Sequence, residues 1–421
     1  MRIGFLSTRL SGTDGVSLEV EKWTAVLHRM GHEIFFCAGE LGGYAAEGML
    51  VPLLHFQHPR IERLTERAFG NEGDPSSGVL THEIEGIAGE LLPPLREWIR
   101  AQRLDLLIVE NALAIPMNLP FGVALTDLVA ESGISTIGHH HDFYWERARY
   151  QNSAIFPLLD RVFPPNLPSM RHVTINSIAL RRLRERRGIV SVVIPNVHNF
   201  ATPPPRLDEY NRDVRESLGL KEDDLFVLQP TRVIQRKGIE MAIELVHLLD
   251  LPNKHLLITH SASDEGQAYW EWLRREANSL QVDMRLIDDW VAPQRATVSD
   301  RKVYSLWDIY PHADLVTYPS TYEGFGNALL EAIYFKRLIV INRYPVYNAD
   351  IAPLGFEFIE LDGFVSEAAV QQTQGLLGDP ERVAAMTDKN YAIAREHFSL
   401  EVLESKLREL LASFSYTAST M

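Results

Sequence analysis

Cysteine is almost absent from this sequence, which has only Cys37 among 421 residues. A single cysteine excludes a disulfide framework and a cysteine-rich zinc site within the chain. Cys37 lies in the apolar run from Ile34 to Ala38, where a cysteine is expected to pack as a small buried hydrophobe rather than act as a nucleophile. The low cysteine content fits a cytoplasmic protein.

Long apolar segments are also missing. No uninterrupted apolar run approaches the roughly 20 residues that a membrane-spanning helix needs. The stretch from Ala112 to Leu125 is apolar, but it contains two prolines and an asparagine. The run from Ile3 to Leu6 is too short for the core of a signal peptide. We therefore expect no transmembrane segment and a cytoplasmic location.

Positive charge is scarce, with 41 lysines and arginines against 56 acidic residues and a net charge of −15. This excess argues against non-specific binding to nucleic acid or to an anionic membrane. The exception is the segment from Leu180 to Arg187, which contains five arginines. It is either a solvated helix face or a local attraction for an anionic acceptor, and the sequence leaves both open, as it does the oligomeric state.

Strand-like and helix-like segments alternate along the chain, which predicts parallel sheets covered by helices. A helix is predicted from Val16 to Met30, and a loop from Glu72 to Ser77. Later helices are predicted from Gly238 to Leu249 and between Pro380 and Phe414. The predicted strands are Arg2–Ser7, Glu33–Ala38, Asp105–Val109, Ile134–Gly138, His172–Asn176, Ser191–Ile194, Leu225–Gln229, His255–Thr259, Leu315–Tyr318 and Leu338–Asn342.

The length and the three consecutive prolines at 203–205 indicate two domains joined near residue 200. We predict an α/β fold of two Rossmann-like domains that face each other across a cleft. Residues 1–200 would form an acceptor domain and residues 201–395 a donor domain. The C-terminal helix, 396–421, would pack back towards the first domain. Ligands bind such sheets at the carboxyl ends of their strands, so the chemistry is expected on the loops there.

The strongest local signal is the segment from Pro319 to Ala332, which follows a predicted strand. Gly324 and Gly326 flank Phe325 just before a helix begins, and backbone amides there suit a diphosphate or sugar oxygens. Glu323 and Glu331 could accept hydrogen bonds from hydroxyl groups of the same ligand. The alternative is a glycine turn with two solvated glutamates.

A second signal joins Arg232, directly after a strand, with Lys237, just before a helix. Two cations at the end of a strand can neutralise a leaving diphosphate, although a solvated pair of loop charges is the alternative. Arg236 is expected at the surface. Gly12 and Gly15 follow the first strand and can approach an anion closely. The full three-glycine dinucleotide fingerprint is absent, which disfavours an NAD enzyme.

A third signal is the run Gly138–Trp145, which contains three consecutive histidines at the end of a strand. Side chains alternate along a strand, so His139 and His141 are expected on one face, followed by Asp142. A zinc site is conceivable, but cysteine partners and helical i, i+4 spacing are lacking. We predict a polar wall of an active site and no metal.

Taken together, these segments resemble family 4 of the retaining glycosyltransferases, the group of sucrose-phosphate synthases and many bacterial mannosyl- and glucosyltransferases. The spacing of Glu323 and Glu331 is similar to that family's Glu-x7-Glu motif. Arg232 and Lys237 are similar to its Arg…Lys-Gly pair, and Ile194-Pro195-Asn196 resembles the end of its first domain. The resemblance implies the GT-B fold. The matches follow the family's order from residue 3 to about residue 340.

The resemblance also implies the role of each site residue. Glu331 would hold the ribose of the nucleotide, and Glu323 with the backbone of 324–326 would hold the donor sugar. Arg232 and Lys237 would stabilise the departing diphosphate. His141 would lie near the reacting carbon, with His139 as the substitute candidate. Gly12, Gly15, His139 and Asp142 would border the phosphate and the acceptor, and the family needs no metal and no cofactor beyond the nucleotide-sugar.

We therefore predict a retaining hexosyltransferase that uses GDP-mannose or UDP-glucose and a small, soluble, polar acceptor, which could be anionic. An epimerase of the same fold is one alternative. A phosphorylase would need a pyridoxal-bearing lysine, which the sequence does not indicate. A non-catalytic subunit that binds a nucleotide-sugar is the remaining alternative.

Overall fold

The structure is a computed structural model that describes residues 1–12, 14–46, 48–70, 77–151, 153, 155–262 and 266–418. The predicted loop from Glu72 to Ser77 lies outside these residues except for Ser77, where a helix begins. The chain divides into two compact units. The first contains residues 1–196 and the C-terminal helix from residue 400, and the second contains residues 197–399.

The first unit is built around a sheet of seven parallel strands in the order β3-β2-β1-β4-β5-β6-β7. Its strands are β1 (Arg2–Ser7), β2 (Glu33–Ala38), β3 (Gly48–Leu50), β4 (Leu106–Glu110), β5 (Ser135–His140), β6 (Met170–Thr174) and β7 (Ser191–Val193). Its first six helices are α1 (Gly15–Arg29), α2 (Pro59–Phe69), α3 (Ser77–Gln102), α4 (Leu119–Ser132), α5 (Phe156–Val162) and α6 (Ser177–Arg187).

The second unit contains a sheet of six parallel strands in the order β10-β9-β8-β14-β15-β16 and a separate three-stranded sheet, β11-β13-β12. The strands are β8 (Leu225–Gln229), β9 (Lys254–Ile258), β10 (Asp283–Leu286), β11 (Val291–Ala292), β12 (Ala296–Val298), β13 (Arg301–Ser305), β14 (Leu315–Tyr318), β15 (Leu338–Asn342) and β16 (Ile359–Leu361). The helices are α7 (Val214–Ser217), α8 (Ile239–Leu248), α9 (Gln267–Ser279), α10 (Leu306–Ile309), α11 (Asn327–Tyr334), α12 (Glu367–Leu377) and α13 (Pro380–His397).

The last helix, α14 (Leu400–Ala418), belongs to the first unit. Lys406 on α14 donates a hydrogen bond to the carbonyl of Val193 on β7 over 3.2 Å. Glu404 lies 3.5 Å from the guanidinium of Arg29 at the end of α1. The chain thus returns to the first unit after completing the second.

Each main sheet has one point at which the strand order reverses. The chain forms β2 on one side of β1 and later places β4 on the other side. In the second unit the corresponding neighbours are β8 and β14. Loops that leave the carboxyl ends of two such strands turn in opposite directions and open a crevice, which is where open parallel sheets bind ligands.

The two parallel sheets confirm the predicted α/β class, since buried apolar runs form their central strands. The apolar stretch from Ala112 to Leu125 leads into α4, which is buried along most of its length. Among the described residues, no helix is both long enough and apolar enough to cross a membrane. The burial of α4 therefore accounts for the apolar composition of the stretch from Ala112 to Leu125.

Candidate active site

In the second unit, a buried carboxylate lies where β8 and β14 end side by side. Glu323 follows β14 and Lys237 follows β8, and both are buried. The Lys237 ammonium donates to Glu323 Oε1, and Arg236 Nη1 donates to Glu323 Oε2 over 2.9 Å. We call Lys237, Arg236 and Glu323 the Glu323 cluster. Arg236, expected at the surface, is half-buried and belongs to this cluster.

A close approach of two loops brings the members of the Glu323 cluster together. Gly238 has a φ of +61°, and a Cβ there would lie 2.4 Å from the carbonyl oxygen of Pro319. Only glycine tolerates this backbone at that distance. The Lys-Gly pair that the sequence singled out therefore has a physical reason, since Gly238 lets Lys237 reach Glu323.

Opposite charges keep the Glu323 carboxyl ionised. Burial alone would raise its pKa, but the charges of Lys237 and Arg236 outweigh burial and place the pKa at about 2. Burial also lowers the pKa of Lys237 from its ordinary value, and the attraction of Glu323 only partly offsets this. With the carboxyl pKa this low, the cluster is charged at neutral pH.

The glycine loop after β14 is fixed from behind by aromatic side chains. Gly326 precedes α11 with a φ of +132°, and a Cβ there would lie 3.0 Å from Tyr318 Oη and 3.1 Å from Tyr344 Oη. The Tyr344 hydroxyl donates to the carbonyl of Phe325 over 2.7 Å. Phe325 is buried and packs edge-on against Phe398. The loop therefore presents a fixed backbone at the positive end of α11.

Two further predicted residues of the second unit lie beside this loop and this cluster. Glu331, on the second turn of α11, accepts a hydrogen bond from Tyr310 Oη over 3.2 Å. Arg232 is exposed, and its side chain has no ion-pair partner within the described residues. Burial, together with the charges of Arg232 and Lys237, lowers the pKa of His260 to about 4. His260 is therefore a neutral neighbour of both cations.

In the first unit, a second buried carboxylate lies at the end of β4. Glu110 is opposite His139 in the register of β4 and β5, and His139 Nδ1 lies 2.9 Å from Glu110 Oε2. His141 Nε2 lies 3.2 Å from the same oxygen. We call these three residues the Glu110 cluster. The prediction that His139 and His141 share a face is confirmed, whereas His140 turns away and contacts His172.

The two histidines of the Glu110 cluster differ in access. The His139 side chain is 1% exposed and stacks on Trp23 with 4.3 Å between ring centroids. The His141 side chain retains 10% of its surface. Of the two candidates, His141 is therefore the one that can contact a ligand, while His139 forms the wall behind it.

Charge favours an ion pair within the Glu110 cluster. Burial would raise the pKa of Glu110, but the attraction and hydrogen bonds of His139 and His141 outweigh it and lower the pKa to about 2. Burial would lower the pKa of His141, but Glu110 raises it above its ordinary 6.5. His140 differs, because burial and the neighbouring histidines hold its pKa well below that value.

Asn111 fixes the strand ends around this cluster. It adopts a φ of +56°, a left-handed conformation that asparagine tolerates better than most residues. Its Oδ1 accepts from the backbone N–H of His141 over 3.1 Å, and its Nδ2 donates to Asp142 over 3.0 Å. Asp142 also accepts from Arg147 Nε over 2.6 Å. The contacts with Asn111 and Arg147 thus hold the Asp142 carboxylate in place next to His141 in the chain.

The predicted glycines of the first unit border the start of α1. Gly12 is exposed with a φ of +78°, and Gly15 is the first residue of α1. Between them, Asp14 caps the helix by accepting from the backbone N–H groups of Val16 and Ser17. This cap accounts for the position at which α1 begins.

The arginine-rich segment forms α6, and three of its five arginines make contacts with described acidic or aromatic side chains. Arg182 contacts Glu146 over 2.9 Å, and Arg187 contacts Asp160. The guanidinium of Arg186 lies over the ring of Trp145. These contacts favour the solvated helix face over an anion-binding role.

Glu110, His139 and His141 also have the donor types of a metal site, and their ligand atoms lie within 4.8 Å of one another. Two imidazoles and one carboxylate suit several divalent ions. One nitrogen of each histidine already faces Glu110 at hydrogen-bonding distance, so hydrogen bonding to Glu110 accounts for the arrangement. The expectation that no metal is needed stays a prediction.

Sequence reasoning missed Glu110 and Arg236. Glu110 directly follows the apolar run Leu106–Val109, so an acid at the end of a predicted strand was the available signal. Its partner, His139, lies 29 residues later and becomes adjacent only through strand pairing. Nothing in the sequence around Arg236 distinguishes it from other basic residues in loops.

Two curated relatives are similar to most of this chain. The mannosylglucosylglycerate synthase of Thermotoga maritima is 35% identical over 446 residues, covering 98% of this chain and 100% of that protein. The mannosylglucosylglycerate synthase of Petrotoga mobilis is 34% identical over 385 residues, 86% of each chain. No protein-family model matches the chain.

Among solved structures, the sucrose-phosphate synthase of Thermosynechococcus elongatus matches with a TM-score of 0.69 and 14% identity. The match covers 99% of this chain and 100% of that one. At this identity the likeness shows the fold alone, and it confirms the GT-B fold that the sequence motifs implied.

Proposed function

This chain belongs to the family of the mannosylglucosylglycerate synthases, within family 4 of the glycosyltransferases, and we propose that it transfers mannose from GDP-mannose to glucosylglycerate. It is a hexosyltransferase. Of the two donors left open by the sequence, the relatives' name favours a mannose donor over UDP-glucose. The same name supplies the acceptor, a sugar attached to glycerate, which is polar and anionic.

The observation that carries the proposal is the charged Glu323 cluster at the carboxyl ends of β8 and β14. Lys237 and the exposed Arg232 would bind the diphosphate of the donor, where their charges act most strongly as negative charge develops. Glu323 would keep Lys237 charged and in place while accepting a bond from a sugar hydroxyl. Glu331 would hold the ribose, and the backbone of 324–326 the sugar.

The reaction would proceed with retention on one face of the sugar. The bond between C1 of mannose and the β-phosphate oxygen breaks, and its electron pair leaves with GDP. An acceptor hydroxyl oxygen forms the new bond to C1, and its proton passes to the departing phosphate oxygen. No enzyme nucleophile and no metal take part in these steps. Mannosylglucosylglycerate and GDP are the products.

In the first unit, His141 would contribute a hydrogen bond beside the reacting carbon. Its Nε2 faces Glu110, which leaves Nδ1 as the atom for a substrate hydroxyl. Glu110 would orient the ring and favour its charged form, as carboxylates do for histidines in other active sites. Asp142, Gly12 and Gly15 would border the acceptor.

The direct test is a product assay with purified protein. GDP-mannose and UDP-glucose are each incubated with and without glucosylglycerate, and products are identified by mass spectrometry and NMR. We expect GDP release only when the acceptor is present, and an α-mannoside, which is the retained configuration. An exclusive requirement for UDP-glucose, or a β-linked product, would contradict the proposal. Sugar interconversion without acceptor would indicate an epimerase.

A further inference from the structure

The first unit contains a small cavity at the point where its strand order reverses. It has a volume of about 70 Å³ and lies between the loops after β1 and β4. Ser7, Thr8 and Arg9 line it on the β1 side, and Glu110 and Asn111 line it on the β4 side. Because Glu110 also contacts His141, the cavity adjoins the predicted catalytic histidine.

Arg9 is the only cation among the residues that line this cavity in the described part of the chain. Its Nη2 donates to Asp14 over 3.1 Å, and its guanidinium lies 5.4 Å from the centre of the Phe56 ring. The side chain is 35% exposed. A guanidinium has five N–H donors in a rigid fork, so the bond to Asp14 leaves further donors for a ligand.

Both carboxylates that line the cavity are already committed to other partners. Glu110 faces two histidines, and Asp14 accepts from the first turn of α1 and from the hydroxyl of Ser17. They nevertheless make the cavity unfavourable for a ligand with several negative charges. One arginine between two acids, in a small volume, matches a single monovalent anion better than a phosphate.

A carboxylate substrate also needs local attraction in a protein with a net charge of −15. An arginine can supply it by binding both carboxylate oxygens through two parallel N–H bonds. Resting on the proposed function, we infer that this cavity is the subsite for the carboxylate of the acceptor's glycerate group, and that Arg9 recognises it. Arg9 would then select acid acceptors over neutral ones.

The test compares glucosylglycerate with glucosylglycerol, which carries a hydroxymethyl group in place of the carboxylate. For Arg9→Gln we expect kcat/KM with glucosylglycerate to fall roughly 10- to 100-fold, the loss typical of a charge-assisted hydrogen bond. The value with glucosylglycerol should stay unchanged. Arg9→Lys should restore only part of the difference, because lysine lacks the planar fork. Arg63→Gln, at an exposed position on α2, is the matched control and should alter neither acceptor.

Equal losses with both acceptors, or no loss with either, would overturn the assignment of Arg9. A wild-type protein inactive with both acceptors would instead overturn the proposed function. In that case the subsite is judged by titration calorimetry with glycerate alone, and we expect wild-type binding that Arg9→Gln weakens roughly 10-fold or more. Absent or equal glycerate binding in the two proteins would overturn the inference.

Discussion

The Glu110 and Glu323 clusters place the same group in the same kind of position, but they surround it with different cations. Both carboxylates are buried at the strand-order reversal of a parallel sheet, and both have a pKa of about 2. Histidines surround Glu110, whereas Lys237 and Arg236 surround Glu323. Imidazole is the side chain whose ordinary pKa lies nearest to neutral pH, whereas lysine and arginine ordinarily stay charged there.

This difference matches two different tasks. On the proposed function, a diphosphate leaving group needs cations that are charged at neutral pH, and Lys237 and Arg236 of the Glu323 cluster would provide them. A hydroxyl acceptor needs a group that can orient and share a proton, which imidazole does. On the proposed function, the second unit would carry the donor chemistry and the first unit the acceptor chemistry, and four changes can break or sharpen this contrast.

The largest effect is expected from Lys237→Met. We expect kcat to fall about 100- to 1,000-fold, because the diphosphate loses a fixed charge. We also expect stability to fall by about 3 kcal/mol, because among the described residues buried Glu323 then keeps Arg236 as its one charged contact. Steady-state kinetics and denaturant unfolding measure the two effects.

Two further variants separate the effect of a lost charge on kcat from its effect on stability. Lys389→Met removes an exposed lysine paired with Glu357 and should change neither quantity. Arg232→Gln removes an exposed cation, so kcat should fall without loss of stability. If Lys237→Met keeps its turnover, the donor assignment of the Glu323 cluster is wrong.

The next effect concerns pH. Glu110→Gln should cost about 2 kcal/mol of stability, because two histidines lose a charged partner. Glu110 favours folding above its unfolded pKa, near 4.5, and this contribution is lost as the pH falls towards 2. The raised pKa of His141 favours folding below its unfolded value, near 6.5, and this contribution is lost as the pH rises through the raised value.

The stability difference between wild type and Glu110→Gln should therefore be largest between about pH 4.5 and 6.5 and shrink on either side. The alkaline limb of kcat/KM should also move to lower pH, because His141 loses the carboxylate that raises its pKa. Urea unfolding at several pH values and a pH–rate profile measure both. Glu62→Gln, at an exposed position on α2, serves as the control. If the stability difference between wild type and Glu110→Gln did not depend on pH, the proposed contrast between the Glu110 and Glu323 clusters would be wrong.

Much of this fold could be predicted because buried strands have a simple sequence pattern. The predicted strands Arg2–Ser7 and Leu315–Tyr318 have the bounds of β1 and β14, since apolar runs between turn signals define them. The strands β3, β10 and β16 were missed because they are only three or four residues long, and β10 and β16 are also mixed in polarity. β5 runs to His140 rather than to Gly138, because polar histidines conceal its end.

The Glu323 and Glu110 clusters also differ in how much of each could be predicted from the sequence. Lys237 and Glu323 could be predicted together because each lies in a local motif with glycines beside it. Glu110 could not, since its role depends on the pairing of β4 with β5 and on no neighbouring residue in sequence. Local motifs therefore predicted Lys237 and Glu323 of the Glu323 cluster but not Arg236, whereas long-range strand pairing was needed to find the centre of the Glu110 cluster.

A smaller effect is expected at the backbone of the glycine loop. Gly326→Ala should destabilise the protein by about 1–3 kcal/mol, because it forces a side chain into a φ of +132° against Tyr318 and Tyr344. Gly375→Ala in α12 is the matched control. Its Cβ would meet nothing within 4 Å, so helix propensity should make it neutral or slightly stabilising. Equal unfolding midpoints for the two variants would show that the loop is not held as described.

The smallest effect is expected from metal removal. Dialysis against a chelator should leave kcat and the thermal midpoint unchanged, because Glu110 already lies at hydrogen-bonding distance from the facing nitrogens of His139 and His141. Inductively coupled plasma mass spectrometry should find no stoichiometric divalent ion after purification. Loss of activity that Zn²⁺ or Mn²⁺ restores would make the Glu110 cluster a metal site instead.

The most direct test of the division of tasks is titration calorimetry of GDP with wild type, Glu331→Ala and Glu110→Gln. The assignment of nucleotide binding to the second unit predicts that Glu331→Ala weakens GDP binding about 10-fold, the loss of one or two hydrogen bonds to a charged group. It predicts that Glu110→Gln binds GDP as wild type does. Weakened GDP binding in Glu110→Gln, with unchanged binding in Glu331→Ala, would contradict it.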